Sequence, residues 1–213
     1  MKMAELSERS GVPTATIKYY LREQLLPAGR RISATQADYD EGHLRRLRLV
    51  RALIQVGRIP VAAARDVLAA VGDDSLDHHS RIGAAVWSLP HTPEAGEDDP
   101  AAGTARRTAE TLMECMGWDF GRQAGAESPA YRMLVGAIAT MVRLGYPCDM
   151  EQLLPYARSA GELGVADLDL VEQYEDEEAQ VEAAVACTVL YEPVLLSLRR
   201  LAEAEESFRR FGR

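Results

Sequence analysis

The spacing of apolar positions in the first third of the chain predicts four short helices. The first helix ends at Gly11, and apolar residues three and four apart over 17–25 predict the second. The same spacing resumes from Glu41 and again after Pro60, where proline is tolerated in a first helical turn. Residues 28–39 carry turn formers and alternation without a helical stripe, so they predict a loop or a two-stranded wing.

The remaining two thirds of the chain are also predicted to be helical. Residues 72–104 have the Pro, Gly and acidic composition of a linker, with one short helix predicted at about 75–87. Residues 105–213 contain only helical periodicity, which predicts an all-α domain. Its last segment, from Asp176 to Phe211, contains Pro193, where the helix is expected to kink or restart.

Charge divides the chain at the same place. The whole sequence carries a net charge of −9, which by itself argues against a nucleic-acid partner. Residues 1–71, however, hold 12 Lys and Arg against 7 Asp and Glu, whereas residues 72–213 hold 12 against 26. This asymmetry indicates a basic nucleic-acid-binding end joined to an acidic domain.

The first two predicted helices have the layout of a helix-turn-helix. Gly11 supplies the turn, and Leu6 and Ile17 lock the helices together. The second helix then presents Thr14, Lys18 and Arg22 on its outer face, where they can contact base edges and phosphates. A helical hairpin inside a larger α protein gives the same pattern, so the hairpin alone leaves both interpretations open.

A longer series of motifs favours DNA binding. Thr16-Ile17-Lys18-Tyr19-Tyr20 is followed by Leu25-Leu26-Pro27, an Arg-containing wing, Tyr39-Asp40-Glu41 and the segment from Leu44 to Gly57. Over residues 1–71 this order resembles the winged-helix DNA-binding domain of MerR-type transcriptional regulators. The expected fold is therefore mainly α, with a winged helix-turn-helix domain followed by an all-helical domain.

The resemblance implies specific DNA contacts. Thr16 and Lys18 face the DNA, Tyr19 bonds a phosphate, and Tyr20 packs beneath the helix. Arginines fall in the wing and in a turn that resembles a second wing. The full set of DNA-binding candidates is Thr14, Thr16, Lys18, Tyr19, Arg22, Arg30, Arg31 and Arg58.

The sequence also departs from the family pattern. Pro13, Ala15, Leu21 and Gln36-Ala37 replace customary capping, basic, acidic and wing residues, and two customary basic contacts are lost. Either the chain reads a different operator, or its other arginines take over part of the phosphate neutralisation. The family's long dimerisation helix, which directly follows the DNA-binding domain, is replaced here by the broken segment 72–104.

The acidic domain contains aromatic and methionine side chains that could line an adaptable effector pocket. The alternative is that they fill a helical core. Acidic groups near aromatic rings favour a cationic ligand over an anionic one. The pocket candidates are Trp87, Met116, Trp118, Tyr131, Tyr146 and Tyr156.

Other chemistry is not expected. No catalytic motif, phosphate-binding glycine loop or metal-ligand spacing is recognised, so we expect no enzyme activity, cofactor or metal. The three cysteines, more than 30 residues apart, are expected to be reduced, buried thiols. No membrane-spanning run or targeting segment is recognised, which favours a cytoplasmic protein without a membrane partner. Twenty-two Arg against two Lys, with abundant Ala, suggest a bacterial source.

The resulting hypothesis is a cytoplasmic transcriptional regulator that binds double-stranded promoter DNA as a homodimer. An apolar stripe over 181–208 is either the dimer surface or the central helix of a monomeric bundle. RNA polymerase and a small-molecule effector are candidate partners, and the sign of regulation is open. The alternative is an interaction or architectural module that a protein partner regulates through the acidic domain.

Overall fold

The computed structural model describes residues 1–33, 36–90 and 100–212. Its helices are α1 (Met3–Ser10), α2 (Thr14–Arg22), α3 (Glu41–Arg51), α4 (Val61–Val71), α5 (His78–Trp87), α6 (Pro100–Met116), α7 (Asp119–Ala124), α8 (Pro129–Leu144), α9 (Met150–Val171) and α10 (Glu177–Phe211). A π-helical turn, Ala52–Val56, continues α3, and a 3₁₀ turn, Gly125–Glu127, precedes α8. The strands β1 (Arg30–Arg31) and β2 (Ala37–Asp38) pair antiparallel. The predicted mainly α fold is confirmed.

The described residues form two compact units. Unit 1 combines Met1–Leu89 with Val171–Arg213, and unit 2 is Pro90–Leu170. This division differs from the predicted one, because the last 43 residues of the chain join the N-terminal domain. Part of the predicted linker, residues 91–99, lies outside the described residues, whereas its predicted short helix is α5.

Local chemistry explains where several helices begin and end. Gly11 adopts a left-handed conformation, with φ of 66°, and ends α1. Asp40 accepts a hydrogen bond from the His43 backbone N–H, and the His43 ring accepts one from the Asp40 N–H, which closes a capping box at the start of α3. Asp176 caps α10 through the Ala179 N–H at 2.7 Å.

Unit 1 has one hydrophobic core built from both ends of the sequence. Leu6 of α1, Ile17 of α2 and Leu47 of α3 are fully buried in it. Val181 and Val185 of α10 belong to the same core and are equally buried. The first third of α10 therefore completes the core of the winged helix.

Unit 2 centres on the pairing of α6 with α8. Three alanines at spacings of four, Ala101, Ala105 and Ala109, form the α6 side of its core. Ile138 and its neighbours on α8 pack against them. Alanine is small, so the two helix backbones can approach closely here.

Two sequence expectations are corrected. The helix α10 runs through Pro193 as one 35-residue helix, without the predicted restart. The loss of one backbone donor is offset by the many helical hydrogen bonds on both sides of it. The cysteines carry thiols, but Cys115 is exposed and Cys148 and Cys187 are half-buried, so the expectation of buried thiols is wrong.

Among the described helices, α10 is long and apolar enough to cross a membrane by length and composition alone. Its most apolar 18-residue window has a mean hydropathy of 1.6, and 33% of that window is buried. Such a helix can equally serve a protein core, and residues 181–189 pack inside unit 1. The apolar character of this part of α10 is therefore explained by core packing.

Candidate nucleic-acid interface

The helix-turn-helix of α1 and α2 is held by hydrogen bonds on both sides of its turn. The Ser7 hydroxyl donates to the Val12 carbonyl at 2.7 Å, and the Val12 N–H donates to the Ser10 hydroxyl at 3.2 Å. From α3, Arg51 Nη1 donates to the Ser10 carbonyl at 3.0 Å. The turn is thus fixed to the scaffold helix behind it.

The predicted DNA-facing side chains of α2 lie at its surface. Thr14, Lys18, Tyr19 and Arg22 are exposed, and Thr16 is half-buried. The Arg22 guanidinium lies 5.4 Å from the centre of the Tyr19 ring, a cation–π contact that holds both side chains together. Tyr20, predicted to pack beneath the helix, is 4% exposed and belongs to the unit 1 core.

The wing is a short hairpin that exposes two arginines. Arg30 pairs with Asp38 and Arg31 with Ala37 across the strands. Arg30 Nη2 lies 3.5 Å from the Asp38 carboxylate, whereas both arginine side chains are exposed. A Cβ at Gly29 would lie 2.7 Å from the Asp38 carbonyl oxygen, so only glycine lets the strands approach at this point.

A second loop presents Arg58. The Gly57 N–H donates to the Ala52 carbonyl at 2.9 Å, and the Ile59 N–H donates to the Leu53 carbonyl at 3.0 Å. Between these bonds Arg58 adopts a left-handed backbone, with φ of 54°, and its side chain is exposed.

Two arginines that resemble DNA contacts by charge serve the scaffold instead. Arg65 of α4 donates through Nε to the Glu23 carbonyl at 3.1 Å and through Nη2 to the Glu23 carboxylate at 3.2 Å. Arg51 binds the Ser10 carbonyl in the same way. They therefore anchor the C-terminal ends of α2 and α1. Sequence reasoning missed both roles because each partner lies about 40 residues away.

A charge cluster joins α3 to the start of α10. Arg46 Nε lies 3.4 Å and Arg45 Nε 3.8 Å from the Glu182 carboxylate. Arg45 also lies 3.7 Å from Asp176, and Arg46 lies 3.9 Å from Glu178. Burial raises the pKa of Glu182 to about 7, although Arg46 and Arg45 act in the opposite direction.

A shallow groove of about 190 Å³ runs beside this cluster, between α3 and α10. Arg45, Arg48 and Glu182 supply its charged lining, and Leu49 and Leu190 its larger apolar side chains.

The six residues predicted to line an effector pocket fall into both units. Trp87 lies on α5 of unit 1, and the other five lie in unit 2. Within unit 2, Met116 and Trp118 flank Gly161 of α9, whose Cβ would lie within 4 Å of both side chains. The remaining three differ in burial: Tyr131 is half-buried, and Tyr146 and Tyr156 are exposed. Across the described ranges, no group of three or more His, Cys, Asp or Glu could hold a metal ion.

Comparison with known proteins identifies the family. Residues 1–71 match the family model described as MerR HTH family regulatory protein. The whole chain is 51% identical to a Streptomyces coelicolor A3(2) protein of known crystal structure, described as the "putative transcriptional regulator SCO5550". The match covers 100% of this chain and 99% of that one, with a TM-score of 0.87. No curated protein matches the chain. The chain therefore belongs to the MerR family of helix-turn-helix regulatory proteins, with the family's DNA-binding domain at residues 1–71.

Proposed function

We propose that the protein regulates transcription by binding a two-fold promoter site as a homodimer, with α2 in the major groove. The observation that carries this proposal is the exposure of the cationic side chains on three neighbouring parts of the family domain: α2, the wing and the loop at 57–60. Lys18 acts from α2, Arg30 and Arg31 from the wing, and Arg58 from the second loop. Phosphate contacts from these cations fix the docking register, and Thr14 and Thr16 lie where base edges can be reached.

Salt-dependent binding to the DNA upstream of the protein's own gene tests the proposed contacts. Each lost phosphate contact lowers the slope of log K against log salt concentration by about 0.9. Lys18→Ala and Arg31→Ala are each expected to lower the slope by that amount. Arg158→Ala on α9 of unit 2 is the matched control, because Arg158 is exposed but lies outside the family domain. Unchanged slopes for both test variants contradict the assignment.

The dimer is proposed to form through the part of α10 beyond the unit 1 core. From Leu190 to Phe211, α10 is exposed in the single chain, apart from half-buried Glu206. Its apolar side chains include Leu198, 59% exposed, and Leu201, 67% exposed, on one side of the helix. A soluble monomer rarely leaves so many neighbouring apolar side chains uncovered, and a second copy of the helix covers them without a further partner.

Light scattering tests this interface. Leu198→Glu is expected to convert the dimer to a monomer, and so is truncation after Tyr191, which spares the core residues 181–189. Glu203→Gln, on the same exposed stretch, serves as the control. A dimer that survives both changes, or binding of the intact chain to lipid vesicles that Leu198→Glu abolishes, contradicts the proposal.

We further propose that unit 2 senses a small molecule near Met116 and Trp118, with a cationic ligand favoured by the acidic charge of residues 72–213. Ligand binding there is expected to quench Trp118 fluorescence, and a Trp87→Phe background isolates that signal. The absence of any response to cationic and anionic ligands contradicts a pocket at this place. RNA polymerase remains the proposed downstream partner, with activation and repression both compatible with the DNA contacts.

A further inference from the structure

The C-terminal helix α10 touches the loop that carries Arg58, although about 130 residues separate them in sequence. Val189, 7% exposed, is the last core residue that α10 contributes to unit 1. It lies directly against Gly57, the residue before Arg58. A Cβ at Gly57 would lie 2.6 Å from Val189 Cγ1, so the contact leaves no room for a side chain.

Gly57 owes its identity to this close approach rather than to its backbone angles. Its φ is −70°, which any residue adopts. The same added Cβ would lie 3.0 Å from the Leu53 carbonyl oxygen and 3.3 Å from Ile59 Cδ1. Val189 is β-branched and has little rotamer freedom on a helix, so it cannot move aside at low cost.

Arg58 needs external support for its conformation. A left-handed backbone is disfavoured for a residue with a Cβ, and Arg58 holds one at φ of 54°. The segment before it is a π-helical turn, a distortion that is often found at functional sites. The flanking hydrogen bonds at Gly57 and Ile59 fix the loop from inside, and Val189 closes it from the side of α10.

We propose that Val189 is a positioning residue for DNA binding: it packs on Gly57 and holds the loop 57–60 so that Arg58 reaches a phosphate. The proposal rests on the proposed function in taking Arg58 as a DNA contact. It adds that a residue outside the family domain sets the geometry of that contact. Since the same helix continues into the proposed dimer surface, a shift of α10 changes the position of Arg58.

A double-mutant cycle in the full chain tests the coupling. Arg58→Ala is expected to lower the salt slope of DNA binding by about 0.9. Gly57→Ala pushes against Val189 and is expected to lower the slope by a similar amount with Arg58 present. In the Arg58→Ala background, Gly57→Ala is expected to lower neither slope nor affinity further, because it acts only through Arg58.

Matched valines separate positioning from core stability. Val189→Ala is expected to reduce the slope, whereas Val185→Ala removes the same methyl groups from the same core without facing Gly57. Val185→Ala is therefore expected to lower the melting temperature but to keep the wild-type slope at temperatures where it is folded. Combining Gly57→Ala with Val189→Ala relieves the closest contact and is expected to recover most of the affinity that Gly57→Ala loses. If Gly57→Ala alone fails to fold, the two valine variants carry the test.

Three results overturn the proposal. Equal slope losses for Val189→Ala and Val185→Ala make Val189 an ordinary core residue. An affinity loss from Gly57→Ala that is as large without Arg58 as with it shows that Gly57 acts on another contact. An Arg58→Ala variant with the wild-type slope removes the contact that Val189 is meant to position. A normal effect of Lys18→Ala in the same experiment shows that DNA binding through α2 stands in each of these cases.

Discussion

Glu182 gives the α3–α10 cluster a pH dependence that can be calculated from its burial. The carboxyl pKa is 4.5 when exposed and rises to about 7 in the folded chain, chiefly because burial disfavours the charged form. Between these values the folded chain binds a proton that the unfolded chain has released. Glu182 therefore stabilises the fold below its unfolded pKa, and this contribution is lost as the pH rises through about 7.

The size of the effect follows from the pKa difference. One pKa unit corresponds to 1.36 kcal/mol, so the full shift corresponds to an upper limit of about 3 kcal/mol. Glu182→Gln keeps the shape but cannot ionise. Relative to the wild type, this variant is expected to gain up to about 3 kcal/mol of stability between pH 5 and pH 8.5. Other carboxyls keep their own pH dependence in both proteins and cancel in the difference.

Urea denaturation at several pH values measures this difference. Trp87 lies in unit 1, so its fluorescence in a Trp118→Phe background follows the unit that contains Glu182. Glu178→Gln is the matched control, because Glu178 faces Arg46 from an exposed position. A stability difference between Glu182→Gln and the wild type that stays constant from pH 5 to pH 8.5 refutes the reasoning. A difference that moves against the variant at high pH refutes it as well, since the ion pairs with Arg45 and Arg46 then outweigh burial.

Further predictions concern the scaffold, the core and the dimer. Arg65→Ala removes a charged donor from the Glu23 carbonyl and is expected to cost about 1.5 kcal/mol in urea unfolding; Arg107→Ala, an exposed control in unit 2, should leave that transition unchanged. Val185→Ala is expected to cost roughly 2 kcal/mol, because two buried methyl groups and their packing are lost; a melting temperature equal to the wild type contradicts the shared core. Leu196→Ala, 53% exposed in the single chain, is expected to weaken self-association in sedimentation equilibrium without changing DNA affinity per dimer; loss of affinity at protein concentrations that keep the variant dimeric argues against that separation.

Local chemistry predicted the helix ends well and left the partners of the helices open. Gly11 and Asp176 act within four residues of themselves, so the left-handed turn and the helix cap can be recognised from the sequence alone. Periodicity also identified an apolar stripe on the last helix. It could not say what the stripe packs against, because a helical period defines a face and not its neighbour. The structure divides this stripe: residues 181–189 enter the unit 1 core, and the rest stays exposed.

The DNA-binding candidates show the same limit. The family motif places Lys18 and Arg58 at the surface, where the structure also has them. It could not reveal that Arg51 and Arg65 are held by backbone carbonyls, since those partners are close only after folding. The role of Gly57 was equally hidden, because the side chain that excludes a Cβ there comes from the last helix.

The charge division of the sequence takes on a second meaning in the folded chain. The net charge of +5 over residues 1–71 suggests a strongly cationic DNA-binding face. Arg45 and Arg46, however, face Glu182 and its acidic neighbours on α10, so part of the basic excess is neutralised within unit 1. The acidic excess after residue 71 is correspondingly smaller at the surface, because three of its carboxylates lie against α3. Attraction between the two ends of the chain thus favours the same docking of α10 that buries Val181 and Val185. A change that separates these charges is expected to loosen the support of Arg58 at the same time.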